Sequence, residues 1–300
     1  MNPAQTADAG RFDLRIIGER INPGFRSTRA LFDDEDFPGI QALAVRQVQS
    51  GASCLNVNVG ARAQTDARFV ARVIRAIQEV VDVPLCFDFP HPEVQRVCLQ
   101  TYDAGRAGGR LPVVNSITEH RWALMELYRL HPFQVVVMAS ERMVDGVARA
   151  NKTAADIAST ARRAARRLRD EHGMPMHDIL IDVSVSAIAA DSEGLGRATL
   201  DATAAIGSDP ELAGLHLMGG LSNIGQQLPA KAADGSDLKL CLENAFLTLA
   251  VPLGFDTVLG TPWRGYAPLP ADHHVMKTYR QFLECSGTDA LRAVRRLYRG

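Results

Sequence analysis

Lysine is scarce in this 300-residue chain: only Lys152, Lys231, Lys239 and Lys277 occur, and the rest of the positive charge is arginine. None of the four follows a glycine-rich turn, so the phosphate loop of an NTPase is excluded. Lys and Arg number 33 against 34 Asp and Glu, a formal net charge of -1, so no cationic field is available to hold a polyanion. Nucleic acid is not an expected partner. No apolar run approaches the ~20 residues that span a bilayer, and the first ten residues lack the basic start and apolar stretch of a signal peptide. No membrane association is expected. The five cysteines, Cys54, Cys86, Cys98, Cys241 and Cys285, are odd in number and widely spaced, with no C-x-x-C pair. A reducing, cytoplasmic setting fits that usage. Neither H-E-x-x-H nor G-x-S-x-G occurs, and the glycines between 105 and 109 miss the dinucleotide pattern and precede a strand. The scattered histidines include one adjacent pair, His273-His274, whose side chains diverge on any regular element. They read as surface residues, and no metal site is expected.

What the chain does have is rhythm. Short apolar runs recur at 14–17, 54–59, 85–89, 113–115, 134–138, 179–183, 215–218 and 257–259, separated by stretches of helical periodicity. After Thr65, taken as an N-cap, Phe69, Val70, Val73, Ile74, Ile77 and Val80 form one apolar stripe suited to lie on a sheet. Thr153 with Asp156 resembles a capping box, and Gly173 with Pro175 stops the helix that follows it. The arginines from 162 to 169 read as its solvated outer face, not as an anion site. Strands that are apolar with little alternation are buried on both faces, and about eight strand–helix units close into a (β/α)8 TIM barrel, an α/β fold. A doubly wound open sheet is the fallback. Residues 1–12 are expected to be a flexible leader and 13–300 a single barrel domain, with C-terminal extra helices over 271–285 and 288–298.

In such a barrel the chemistry sits at the carboxyl ends of the strands. Asn22 follows the first strand, Asn56 and Asn58 sit in the second, and Asp88, Asn115 and Asp182 end the third, fourth and sixth; Asn223 follows the seventh. One Asp or Asn at such a place usually caps a turn. Seven on one rim, with few cations and no histidine, suit a neutral heterocycle carrying amide-like donors and acceptors. A buried Asp without a cation is costly unless such donors arrive. The segment Gly219-Gly220-Leu221-Ser222-Asn223 serves equally, read alone, as a glycine turn or as a loop lying against a ligand.

Taken in order, Ile16-Ile17-Gly18-Glu19-Arg20-Ile21-Asn22, Leu55-Asn56-Val57-Asn58-Val59-Gly60, Leu85-Cys86-Phe87-Asp88, Val114-Asn115-Ser116, Ile181-Asp182 and Gly219-Gly220-Leu221-Ser222-Asn223 resemble the pterin-binding barrels. The set, covering roughly 14–262, is similar to the methyltetrahydrofolate:corrinoid protein methyltransferases and the folate domain of cobalamin-dependent methionine synthase. The resemblance implies a methyltransferase of one-carbon metabolism or demethylation, working between N5 of tetrahydrofolate and a corrinoid, in either direction. It implies that Asp88, Asn115 and Asp182 hold the polar edge of the pterin, with Asn56 beside them. Asn223 would reach N5 as the catalytic residue, while Gly220, Ser222 and Gln226 line its loop. The cofactors implied are tetrahydrofolate or 5-methyltetrahydrofolate, with cobalamin supplied by a corrinoid protein or free, and the relatives imply a homodimer. The chain departs from its relatives at Asn56, where an acid is common, at Val183-Ser184, where proline usually follows the Asp, and at Ala139-Ser140, where Asn or Asp is usual. A dihydropteroate synthase, whose late strands offer Lys and Arg to anions, is a second reading; a non-catalytic folate-binding subunit is a third.

Overall fold

Eight parallel strands close on themselves in the computed structural model, which describes residues 10–299. Most of the segment read as a leader lies outside the described residues; Phe12 already packs against the core. The barrel strands are β1 (Arg15–Ile21), β2 (Cys54–Val57), β3 (Leu85–Asp88), β4 (Val113–Ile117), β5 (Gln134–Met138), β8 (Ile179–Asp182), β9 (His216–Gly220) and β10 (Phe255–Gly260). They follow one another in sequence order around the ring, and β10 pairs with β1, Arg15 opposite Thr257 and Gly18 opposite Gly260. All eight apolar runs are strands of this TIM barrel, and the open sheet is excluded.

Helices α1 (Arg26–Asp33), α2 (Phe37–Gln49), α3 (Ala67–Gln78), α4 (Pro92–Thr101), α5 (Ala154–His172), α6 (Leu195–Gly207) and α7 (Leu238–Ala250) wrap the outside. Between β4 and β5 the connection is instead a kinked run of 3-10 turns, Glu119–Arg129, with its non-helical residue at Arg121. Helix α8 (His274–Leu283) packs against α7 and helix α9 (Gly287–Arg296) against α8, as the two late amphipathic segments predict.

The helix signals are met with two corrections. The cap of α3 is Asp66, not Thr65: the Asp66 carboxylate accepts from the Phe69 N–H at 2.9 Å, while the Thr65 hydroxyl turns back to the Arg62 carbonyl. The apolar stripe is buried from Phe69 to Ile77, but the helix ends at Gln78 and Val80 lies beyond it, exposed. Helix α5 starts as read, the Thr153 hydroxyl accepting from the Asp156 N–H, and ends in left-handed Gly173. Its arginines form surface ion pairs, Arg162 with Asp209, Arg163 with Glu119 and Arg166 with Glu211.

One element has no counterpart in the sequence reading. After β5 the chain makes a hairpin, β6 (Glu141–Val144) with β7 (Val147–Ala150), whose strands are too short and exposed to leave an apolar run. The Asp145-Gly146 turn, with both residues at positive φ, is the signal that marks it.

Inside the barrel, Ile17, Cys54, Cys86, Val113, Val136, Leu180 and Met218 form one apolar layer, with Leu259 against it. Each barrel strand contributes one residue, so this plug is a packed core and not a pore. The five cysteines are free thiols; Cys54 and Cys86 lie in this layer, where burial pushes the Cys54 thiol up to about 12.

Candidate active site

Side chains alternate along a strand, so the residue two places after each member of the plug points inward one step nearer the carboxyl end. Those residues are Glu19, Asn56, Asp88, Asn115, Met138, Asp182, Gly220 and Thr261. The layer above the apolar plug is therefore polar apart from Met138 and Gly220. Asp88 stands opposite Asn115 between β3 and β4, and Asp182 opposite Met138 between β5 and β8.

Asp88 is fixed by amides. Its Oδ2 accepts from Asn56 Nδ2 at 3.4 Å and from Asn58 Nδ2 at 3.2 Å, and Asn58 Oδ1 in turn accepts from the Gly60 N–H. Burial raises the Asp88 carboxyl above its usual range, opposed by those two amides and by the Arg121 guanidinium. Asp182 has no cation beside it among the described residues: Oδ1 accepts from the Ser184 N–H at 2.7 Å, and burial lifts the group to about 6. Asn56 is buried and its Oδ1 finds no partner among the described residues, nor do the buried hydroxyls of Ser184 and Ser186. A group walled in by protein yet short of partners is suited to a ligand that brings them.

A cavity of about 560 Å³ opens at this end, lined by Asn22, Asn56, Asp88, Gly220, Ser222, Asn223 and Gln226 among others. Of the residues the sequence singles out, Asn56, Asp88, Gly220, Ser222, Asn223 and Gln226 are thus brought together. Asn115 and Asp182 share the inward layer but do not line this cavity. Asn223 follows β9 in a short turn; its Oδ1 accepts from Gln226 Nε2 at 2.8 Å, and its Nδ2 lies over Gly220, 3.1 Å from where a Cβ would stand. Any side chain at 220 would displace that amide. Asn22 lines the cavity but spends its Oδ1 on the Gly24 N–H.

The expectation of few cations holds for the layer and not for the rim. Arg20, Lys239 and Arg264 line the cavity together with Glu19 and Glu243. Glu19 is buried and ties together the segments that follow β9 and β10, its Oε2 accepting from the Ser222 hydroxyl at 2.9 Å and Oε1 from the Thr261 hydroxyl at 2.8 Å; burial raises its carboxyl. Glu243 sits 2.7 Å from the Arg264 guanidinium, and burial, opposed by that cation, lifts it to about 7. Arg20 lies beside Glu19 and packs 3.7 Å over the Phe25 ring. Two-residue periodicity from Ile17 would have found Glu19, whereas Glu243 and Arg264 come from α7 and the loop after β10 and leave no local signal. Among the described residues no group of three or more His, Cys, Asp or Glu is placed to hold a metal ion, and no helix is long and apolar enough to cross a membrane.

The fold defines a (β/α)8 barrel with an open polar cavity at the carboxyl ends of the strands. The family described as pterin binding enzyme matches residues 21–259, and the chain belongs to that family. It is 24% identical over 251 residues to a methylcorrinoid:tetrahydrofolate methyltransferase of Eubacterium limosum, covering 82% of this chain and 84% of that one. Solved structures of like fold include dihydropteroate synthase from Thermus thermophilus (TM-score 0.57, 19% identity, 84% of this chain and 90% of that one). Another is the Xanthomonas albilineans dihydropteroate synthase (TM-score 0.56, 20% identity, 84% and 88%).

Proposed function

We propose that this protein moves a methyl group between N5 of tetrahydrofolate and a corrinoid that arrives on a partner protein or as free cobalamin. The name of the Eubacterium limosum relative favours delivery to tetrahydrofolate. The observation that carries the reading is the inward layer of amides and carboxylates directly above an apolar plug. Asp88 Oδ1 and Asp182 Oδ2 are left to accept ring N–H and exocyclic amine, and Asn115 offers a donor and an acceptor beside them. A flat, uncharged heterocycle meets those needs without a counter-ion.

Asn223 is given the role at the reacting nitrogen. As the N5–methyl bond forms, the bonding pair of the cobalt–carbon bond stays on the metal, which becomes cobalt(I), and N5 gains positive charge until its proton leaves. An amide oxygen has two acceptor sites; on Asn223 Gln226 fills one, and the other takes the N5–H. The amide does not titrate, so it orients and stabilises the charge while the proton passes to solvent. The same contact serves the reverse transfer.

Mixing the protein with tetrahydrofolate and methylcobalamin is expected to give 5-methyltetrahydrofolate and cobalt(I) cobalamin in equal amounts. Condensation of hydroxymethylpterin pyrophosphate with p-aminobenzoate and release of pyrophosphate would instead select a dihydropteroate synthase. Tight folate binding with no transfer to either free cobalamin or a methylated corrinoid protein would select a binding subunit.

A further inference from the structure

The charges around the cavity do not match one another. Arg264 lies 2.7 Å from Glu243 and 3.6 Å from Asp237, while Arg20, its guanidinium over the Phe25 ring and its buried Nε without a partner, makes no ion pair with any described residue. Lys239, on the first turn of α7, makes no ion pair with any described residue although it lines the same cavity. Its position is built. Gly225 lies under its stem, and a Cβ there would stand 3.0 Å from Lys239 Cγ, so the absence of a side chain at 225 lets the lysine lie across the turn that carries Asn223 and Gln226. The stem is half-buried against buried Gly225 and the ammonium is left to the cavity.

A site with a floor of amides and carboxylates and an unpaired ammonium at its rim asks for a ligand whose ring is uncharged and whose far end is anionic. We infer that Lys239 forms an anion subsite for the glutamyl carboxylates of the folate tail. The inference rests on the proposed reading of the cavity as a reduced-folate site. The pterin ring would sit on the layer of Asp88, and the tail would run out past Gln226 to the ammonium.

Calorimetric titrations with three ligands separate the possibilities: tetrahydrofolate, its dimethyl ester and 6-methyltetrahydropterin. Wild type is expected to bind tetrahydrofolate roughly tenfold more tightly than the ester, as a charge-assisted contact would give. Lys239→Met, which keeps the stem over Gly225, should remove that preference, and Lys239→Arg should restore most of it. The preference should also shrink as salt is raised in wild type but not in Lys239→Met. Equal losses for acid and ester would mean that the lysine only packs, and unchanged tetrahydrofolate affinity in Lys239→Met would mean that it touches nothing; either overturns the subsite. So does an effect of Lys239→Met on cobalamin affinity alone. Wild-type binding of 6-methyltetrahydropterin with no gain from the tail sinks only the subsite. Failure to bind any of the three sinks the folate reading itself.

Discussion

The two ends of the barrel interior are lined by the same alternation of residues and treated in opposite ways. Two places before the plug the polar residues are Arg15, Gln134, Asp178, His216 and Thr257, and each meets a protein partner. Arg15 donates to Gln134 Oε1 at 2.6 Å, Gln134 Nε2 donates to Asp178 at 3.0 Å, and Asp256 takes His216 at 2.7 Å and Thr257 at 2.9 Å. Two places after the plug, Asn56 Oδ1 has no partner and Asp182 no cation among the described residues. A buried polar group left short costs on the order of 1–3 kcal/mol, so the amino end is arranged for stability and the carboxyl end gives up stability to keep ligand positions open.

That contrast can be broken by substitution at either end. The largest effect is expected at the rim: Asn223→Ala should slow methyl transfer about 100-fold or more while tetrahydrofolate affinity changes little. Equal losses in both would reject its role at N5. In the layer below, Asp182→Asn should weaken tetrahydrofolate binding about tenfold, because one acceptor is replaced by a group that can also present a donor.

The same residue predicts two pH dependences. With the carboxyl lifted to about 6, wild type loses an acceptor as pH falls through 6, so affinity should drop there, and the Asp182→Asn profile should lack that inflection. Stability runs the other way. The folded-state value lies above the unfolded one, so the contribution of this group is full below the unfolded value near pH 4 and is lost as pH rises through 6. Free of ligand, Asp182→Asn should melt above wild type at pH 8, by on the order of 2 °C, with the gap closing toward pH 4. A lower melting temperature at pH 8 would show that the carboxylate is stabilised by something other than a ligand.

The smallest functional effect belongs to the closed end. Gln134→Ala leaves Arg15 and Asp178 without their link and should cost about 1–2 kcal/mol in denaturant unfolding, with turnover of the folded enzyme unchanged. A loss of turnover with unchanged stability would erase the distinction between the ends.

How far the sequence reaches follows the same division. The strands were legible because parallel strands covered by helices are apolar on both faces, and Asp88, Asn115 and Asp182 stood out where those runs stop. Strand β1 continues past the apolar run that ends at Ile17, because Glu19 and Arg20 interrupt that run while continuing the strand. The β6–β7 hairpin leaves no apolar pattern because it buries almost nothing. The cations of the rim were illegible for another reason. Arg264 meets Glu243 across 21 positions, and Lys239 reaches the cavity only because Gly225, 14 positions earlier, lies beneath it. Such encounters are set by the closed ring and have no trace in local pattern.

A crystal structure of the complex with tetrahydrofolate tests the central claim most directly. The pteridine edge should lie within hydrogen-bond distance, about 3 Å, of Asp88, Asn115 and Asp182, with N5 turned toward Asn223. A ring bound away from this layer, or those four side chains directed to separate places around it, would contradict the account.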